Sequence, residues 1–304
     1  MGDIKLFHID GEHVTELIGH SVAVEKSLQT VIEHHLEALL GVRFLASEYS
    51  TGKTHGGRID TLGLDENGFP VIIEYKRALN ENVINQGLFY LNWLLDHRGE
   101  FELMVLKKYG RQEAERIEWS NPRLLCIAGD FTKYDEHAVQ QINRNIELIR
   151  YRRYGDEFLL LELVNAVIAH TPAVETATTS SSPKSAYKTV TEYLDQSPSS
   201  LRDLYYDLES FIVALGDDVQ KKITKLYIAF KRIKNFACVE VHPHAHHLLV
   251  FVKVDPDDIE LIEGFTRDVR KIGHFGTGDL EIRVSSRDEL ERAKALIVAS
   301  YEVS

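Results

Sequence analysis

Cysteine is scarce in this chain: of 304 residues only Cys126 and Cys238 are cysteines. Both lie in apolar settings, LLCIAG and FACVEV, which excludes a disulfide framework and reads as reduced core thiols in a cytoplasmic protein. Long apolar runs are also missing. No stretch approaches the roughly 18–20 uncharged apolar residues that a membrane helix needs. The opening residues, MGDIKLFHIDGEHV, hold no basic region followed by an apolar run, so no secretory leader is expected. Nor is there an excess of basic charge. Lysine and arginine number 35 against 47 aspartates and glutamates, a net −12, which argues against non-specific coating of nucleic acid. A whole-chain sum hides local fields, however, so a basic groove or a carboxylate-rich cation site stays open. An apolar fraction of 44% and a charged fraction of 27% are those of a soluble globular protein. The length suffices for one large domain or two ordinary ones.

The stretch TPAVETATTSSSPKSA, residues 171–186, has no apolar period and is rich in Ser, Thr and Pro, so it reads as an exposed linker. It separates residues 1–170, with 18 basic and 26 acidic residues, from residues 171–304, with 17 and 21. Neither half is basic, and no internal repeat is visible. In the first half the patterns predict a short strand at IKLFHI, a helix over about 23–40 and extended segments near 43–49, 57–64 and 69–76. A helix follows over 81–97, a strand at 101–107, a helix over 110–118, a strand at 123–129, a helix over 134–146 and a strand at 158–163. This alternation is α/β. In the second half, helices are expected over 200–213, from about 216, over 256–262 and over 286–300. A hairpin of ACVEV and HLLVFVKV and a strand LEIRVS make it α+β.

Chemistry concentrates in GGRIDTLGLDENGFPVIIEYKR, residues 56–77. Alternation along residues 69–76 puts Val71, Ile73 and Tyr75 on one face and Ile72, Glu74 and Lys76 on the other. Two charges at the end of an apolar face need a partner, a metal or a task, because burying a lone charge costs several kcal/mol. The turn DENG folds the preceding strand alongside and carries Asp60 toward Glu74. Two carboxylates and an ammonium at one strand end suit a Mg²⁺-dependent phosphodiesterase. The carboxylates hold a hard cation, which activates water, and the lysine orients that water or supports the developing charge. An E-x-K by itself is more often a solvated ion pair. The order Asp60, hairpin, Glu74-Tyr75-Lys76 is what lifts it here.

Asp60…Glu74-Tyr75-Lys76 resembles the signature of the PD-(D/E)XK endonuclease superfamily. The form G-R-I-D, an acidic turn and an apolar run ending E-x-K is most similar to the archaeal- and actinobacterial-type mismatch- and branch-cleaving endonucleases and to RecB-like nucleases. The likeness spans about residues 20–107. It implies a restriction-endonuclease-like α/β domain, a central mixed sheet flanked by helices, over residues 1–170. It also implies Asp60, Glu74 and the main-chain carbonyl of Tyr75 as ligands of Mg²⁺ or Mn²⁺, with Lys76 as the catalytic lysine. Such nucleases often carry a glutamine and an aromatic on the next helix, which Gln86 and Tyr90 match at i,i+4 spacing. They also carry a glutamate on the first helix. Glu25 shares the inward stripe with Leu28, Ile32, Leu36 and Leu39 and is preferred, with Glu33 in reserve; Glu33 and Glu37 fall with Gln29 on the polar stripe.

Around this motif, Lys53, His55 and Arg58 in STGKTHGGR are placed to contact phosphates, or to lie in a solvated loop. STGKT lacks the leading glycine and the strand-to-helix switch of an NTP-binding loop. IRYRRYG, residues 149–155, interleaves Arg150, Arg152 and Arg153 with Tyr151 and Tyr154, a strand-holding edge or a basic helix end. HPHAHH, residues 242–247, lacks the cysteines or helical spacing of a zinc site, so its histidines read as solvated at a hairpin tip. Residues 187–304 form the smaller α+β accessory domain, which over about residues 185–302 resembles a domain of unknown function found behind such nucleases and sometimes labelled a predicted transport protein. LYIAFKRIKNFACVEV and GFTRDVRKIGHFGTGDLEIRV carry that likeness. GHFGTGD, with Arg267, Arg270 and Lys271, offers either a ligand loop or a tight turn. The expectation is a metal-dependent, cytoplasmic DNA endonuclease, homodimeric where both strands are cut, in repair or in defence against foreign DNA. The alternative is a non-catalytic nucleic-acid- or protein-binding module that keeps the fold.

Overall fold

The computed structural model describes residues 4–21, 25–52, 56–76, 83–167 and 188–304. Lys53, His55, the 171–186 stretch and the first residues of the 81–97 helix lie outside them. The chain divides into two compact units, residues 1–170 and 171–304. No helix among the described residues is long and apolar enough to cross a membrane.

In the first unit, β1 (Leu6–Asp10) and β2 (His13–Leu17) form a separate hairpin, and β3 (Gly19–His20) leads into the main body. Helices α1 (Glu25–His34) and α2 (Leu36–Leu40) follow, then strands β4 (Val42–Ser50), β5 (Arg58–Asp65) and β6 (Pro70–Lys76). Next come α3 (Val83–Asp96), α4 (Arg98–Tyr109), α5 (Arg111–Glu115), β7 (Arg123–Ala128), α6 (Lys133–Gln140), β8 (Asn145–Tyr154) and β9 (Phe158–Val167). The sheet order is β3-β8-β7-β6-β5-β4, with β9 on the other side of β8. It is a mixed sheet: β4, β5 and β6 are antiparallel neighbours, whereas β6, β7 and β8 run parallel.

The apolar pattern explains the layers. Leu62, Ile72, Leu124, Cys126 and Leu148 pack with Leu91, Leu94, Phe101 and Val105 of α3 and α4. Thr61 has the opposite parity to Leu62 and meets α1, so helices flank both faces. The DENG turn closes on Asp65, whose Oδ1 accepts the N–H groups of Asn67 and Phe69 at 2.9 and 2.8 Å. Gly68 takes the left-handed φ of +82° that this turn requires.

Several expected elements take another form. Residues 101–107 are helical, inside α4, because Phe101 and Val105 are buried at i,i+4 while Leu103 and Leu106 are exposed, the period of a helix. The 23–40 helix breaks at His35, and the 134–146 helix stops at Gln140 so that β8 starts at Asn145. IRYRRYG therefore lies on strand β8 and not at a helix end.

The second unit holds α7 (Val190–Asp195), α8 (Ser199–Val213) and α9 (Arg287–Glu302) with six strands: β10 (Gln220–Ile223), β11 (Ile228–Lys231), β12 (Asn235–His242), β13 (His247–Val252), β14 (Thr266–Asp268) and β15 (Leu280–Val284). The order β10-β11-β12-β13-β15-β14 is antiparallel throughout. Leu204, Leu208 and Ile212 of α8 and Leu290 and Ile297 of α9 share its core with Phe230, Val239, Val250 and Ile282. The helix expected from 216 is strand β10. The one expected over 256–262 is a short 3₁₀ turn, Pro256–Asp258, opened by Asp255 and lacking an apolar stripe to bury.

The first unit also buries a three-strand ion cluster. Arg123 of β7 donates to Asp65 Oδ2 at 2.8 Å and, through two nitrogens, to both oxygens of Glu147 at 2.8 Å. All three side chains are almost fully buried. Truncating one member of such a cluster strands the others without compensation. Arg123→Ala is expected to lower unfolding stability by about 3–5 kcal/mol, read by urea denaturation.

Candidate functional site

The β5–β6 ladder has its last rung at Thr61↔Ile73. Beyond it the side chains of Asp60 and Glu74 take up the backbone donors. Asp60 N–H donates to Glu74 Oε1 at 3.2 Å, and Tyr75 N–H donates to Asp60 Oδ2 at 3.0 Å. Each carboxylate is thus held by the opposite strand. Glu74 is fully buried, and among the described residues its Oε2 has no hydrogen-bond partner. Burial, reinforced by the Asp60 charge, pushes the Glu74 carboxyl up to about 9. Burial raises Asp60 as well. At Lys76 burial works against the ammonium, but the charges of Glu25 and Asp60 outweigh it and hold the group above its ordinary value.

Helix α1 supplies the third wall. Lys76 Nζ donates to Glu25 Oε1 at 3.3 Å, so Glu25 meets the lysine. Glu33 lies one step back, accepting from Thr61 Oγ1 at 2.6 Å and from Gln29 Nε2 at 3.0 Å. Glu37 is exposed on α2. The sequence pattern put Gln29 on the polar stripe; in the structure it is 3% exposed and central. Its Nε2 donates to the Asp60 carbonyl at 2.8 Å and reaches Ser47 Oγ at 3.3 Å. The signal for it was the i,i+4 series Glu25, Gln29, Glu33, one continuous helical face.

The remaining candidates fare unevenly. Gln86 on α3 is half-buried and donates to the Tyr90 hydroxyl at 3.4 Å. Tyr90 itself is 5% exposed and packed in the core, with its hydroxyl accepting Arg58 N–H at 3.2 Å. Its ring is therefore not presented to a ligand; it braces the start of β5. Gly57 permits this, since a Cβ there would come within 2.6 Å of the Tyr90 oxygen. Arg58 keeps an exposed side chain, 3.5 Å from Glu48. Arg150 is buried and committed to Asp130 and Glu162 at 2.8 and 2.9 Å, so it is a strand-to-strand tie and no phosphate grip. Arg153 is half-buried and donates to the Asp156 carbonyl at 3.2 Å, and Arg152 is half-buried beside Gly19. Tyr151 and Tyr154 are buried, which removes the base-stacking edge imagined for β8.

In the second unit, Arg270 is enclosed by Asp255, Asp257 and Asp268, and Arg267 pairs with Glu281 at 2.5 Å. Lys271 is exposed. GHFGTGD serves close packing: a Cβ on Gly276 would lie 2.6 Å from that of Cys238, and one on Gly278 2.6 Å from Val252 N. At the hairpin tip His242 and His247 stack 5.2 Å apart. Among the described residues no group of three or more His, Cys, Asp or Glu side chains could hold a metal ion. A cation at the first site would thus rest on two carboxylates completed by a main-chain oxygen. The donor set fits a hard dication, because the orphaned Glu74 Oε2 and the neighbouring Asp60 are oxygen ligands whose mutual repulsion it would relieve.

Comparison with known proteins adds the following. Residues 190–304 match the model of a domain of unknown function, DUF5655. An uncharacterized protein of Haemophilus influenzae is 27% identical over 301 residues, 97% of this chain and 98% of that protein. A crystal structure of a repair endonuclease from Pyrococcus abyssi aligns with 45% of this chain and 51% of its own at 16% identity and a TM-score of 0.28. The EndoMS–dsDNA2 complex aligns with 47% and 49% at 18% identity and a TM-score of 0.24. The chain thus spans about half the length of each of these solved structures.

Two outcomes follow from this geometry. A carboxyl whose folded value, about 9, exceeds its ordinary 4.5 binds its proton more tightly in the folded chain. Cation-free stability should therefore decline as pH rises between those two values. Urea denaturation across pH in chelator is expected to show this decline, with Glu74→Gln flattening it. Replacing Gln29 by Leu removes the side-chain donor to the Asp60 carbonyl and one of the two donors to Glu33, and should cost about 1–3 kcal/mol in the same measurement.

Proposed function

We propose that the first unit is a divalent-cation-dependent nuclease acting on DNA phosphodiesters at the Asp60–Glu74–Lys76 site. The observation that carries this reading is a carboxylate pair that is costly to keep without a cation. Glu74 is fully buried, one of its oxygens lacks a hydrogen-bond partner among the described residues, and a second carboxylate adjoins it. A structural role would be served better by an apolar pair, so the arrangement supports a task. The sequence resemblance to PD-(D/E)XK nucleases supports the same assignment.

Asp60 and Glu74, with the Tyr75 carbonyl, would hold Mg²⁺ or Mn²⁺. Such a cation would supply charge neutralisation at the phosphodiester and a more acidic water. Lys76, kept protonated by the surrounding carboxylates, donates to the phosphate oxygens as negative charge builds on them. Glu25 positions that ammonium through the 3.3 Å contact. Tyr75 N–H fixes the Asp60 carboxylate. Gln86 and Tyr90 act through the backbone at Arg58, as positioning residues. A homodimer cutting both strands, with residues 187–304 selecting substrate or assembling the pair, is the arrangement we favour.

The test is cleavage of a labelled panel of single-stranded, duplex, flap, mismatched and plasmid DNA, plus RNA. The parent should cut at least one DNA with Mg²⁺ or Mn²⁺ and stop on chelation. Lys76→Ala and Asp60→Ala should each lose at least about a hundred-fold in rate, the scale of removing one transition-state donor. Binding of one member by all proteins without cleavage would instead establish a binding module.

A further inference from the structure

Among the described residues only two that are not glycine have a positive φ: Glu48, at 51°, and His246, at 54°. His246 ends the short helical turn at a hairpin tip, where such a conformation is ordinary. Glu48 lies within strand β4, and a left-handed L residue inside a strand is strained. Ser47 pairs with Thr61 and Tyr49 with Ile59, so Glu48 occupies the position across from Asp60. Its carboxylate does not join Asp60. One oxygen accepts from Lys26 Nζ at 2.8 Å, and the other lies 3.5 Å from Arg58 Nε.

We propose that Lys26 and Arg58 form a phosphate clamp at the rim of the Asp60–Glu74–Lys76 site, with Glu48 as a built-in counter-ion that an incoming phosphodiester displaces. The proposal rests on the nuclease reading and adds a binding subsite to it. Lys26 and Arg58 are mostly exposed, with side-chain exposures of 55% and 70%. Ion pairs so placed stabilise a fold little, so they offer scant return for the strained backbone of Glu48. The arrangement makes sense as readiness for a ligand.

Three further features point to a phosphodiester. Lys26 Nζ also donates to Gln29 Oε1 at 3.1 Å, while Gln29 Nε2 holds the Asp60 carbonyl at 2.8 Å. One buried amide therefore ties the clamp to the reacting centre. A phosphate has enough acceptor oxygens to replace both carboxylate contacts, and guanidinium suits it especially well. Finally, the carboxylates Glu25, Glu33, Glu48, Asp60 and Glu74 outnumber the cations Lys26, Arg58 and Lys76. A dication would offset that excess and let an anionic phosphodiester approach the rim cations.

The test measures binding of a fluorescein-labelled DNA duplex to the full chain by anisotropy over a salt series. Divalent cation is present, and the background is Lys76→Ala so that the DNA stays intact. Lys26→Ala and Arg58→Ala are each expected to reduce the slope of log affinity against log salt by about 0.9. Glu48→Gln should tighten binding by up to about five-fold, the ceiling for releasing an exposed ion pair. Glu48→Gly should do the same while also relaxing the backbone, and its melting temperature shows that the fold persists. Unchanged slopes, or Glu48 variants that bind no more tightly, overturn the clamp. If the parent still cuts DNA in that case, the nuclease reading stands without it. Absence of both binding and cutting overturns the two together. The clamp pattern without cutting supports the clamp and removes the catalysis.

Discussion

The first unit is organised around the meeting of two carboxylates at the open end of one strand pair. Asp60 and Glu74 are brought together because the β5–β6 ladder ends one rung earlier and leaves N–H groups that the side chains accept. The pair is electrostatically unfavourable by itself, being desolvated and like-charged. The Lys76 charge and the backbone N–H groups compensate in part, while the Glu25 charge adds to the repulsion. Lys76 lies beside it, Glu25 anchors Lys76, and Gln29, one turn further along α1, holds the Asp60 backbone. What these contacts leave unmet, at Glu74 Oε2, is what a hard cation would meet.

Helix α1 matters more to this site than its length suggests. Ten residues place Glu25, Lys26, Gln29 and Glu33 against three different strands. The sheet is held rigid at the far end by the Arg123–Asp65–Glu147 cluster, which ties β5, β7 and β8 together. The strand ends that carry Asp60 and Glu74 thus project from a frame whose own charges are buried and matched. The strain at Glu48 sits where the frame gives way to the rim.

Arginines and tyrosines that look available in the sequence are already committed once the fold is known. Arg150, Arg267 and Arg270 are held by carboxylates on neighbouring strands or turns, and Tyr90, Tyr151 and Tyr154 are core residues. The second unit builds an independent six-stranded antiparallel sheet with its own apolar core. Its glycine-rich loop serves packing against Cys238 and Val252.

Much of this was legible in the sequence. Period-2 alternation and the DENG turn gave β5, β6 and their antiparallel pairing. From these came the approach of Asp60 to Glu74 and Lys76, because a two-residue period and a tight turn leave little freedom in register. Cysteine placement likewise indicated two buried thiols, which the structure contains. The tertiary structure decided what depends on partners distant in sequence. It made residues 101–107 helical, since that segment's apolar residues fit either period locally and only packing on the sheet chose between them. It buried Gln29, because a polar side chain is welcome inside once the Asp60 carbonyl and Glu33 are there to bond it. And it separated the arginines enclosed by carboxylates of neighbouring strands and turns, such as Arg150 and Arg270, from Arg58 at the rim, because whether a charge is neutralised depends on which segments become neighbours.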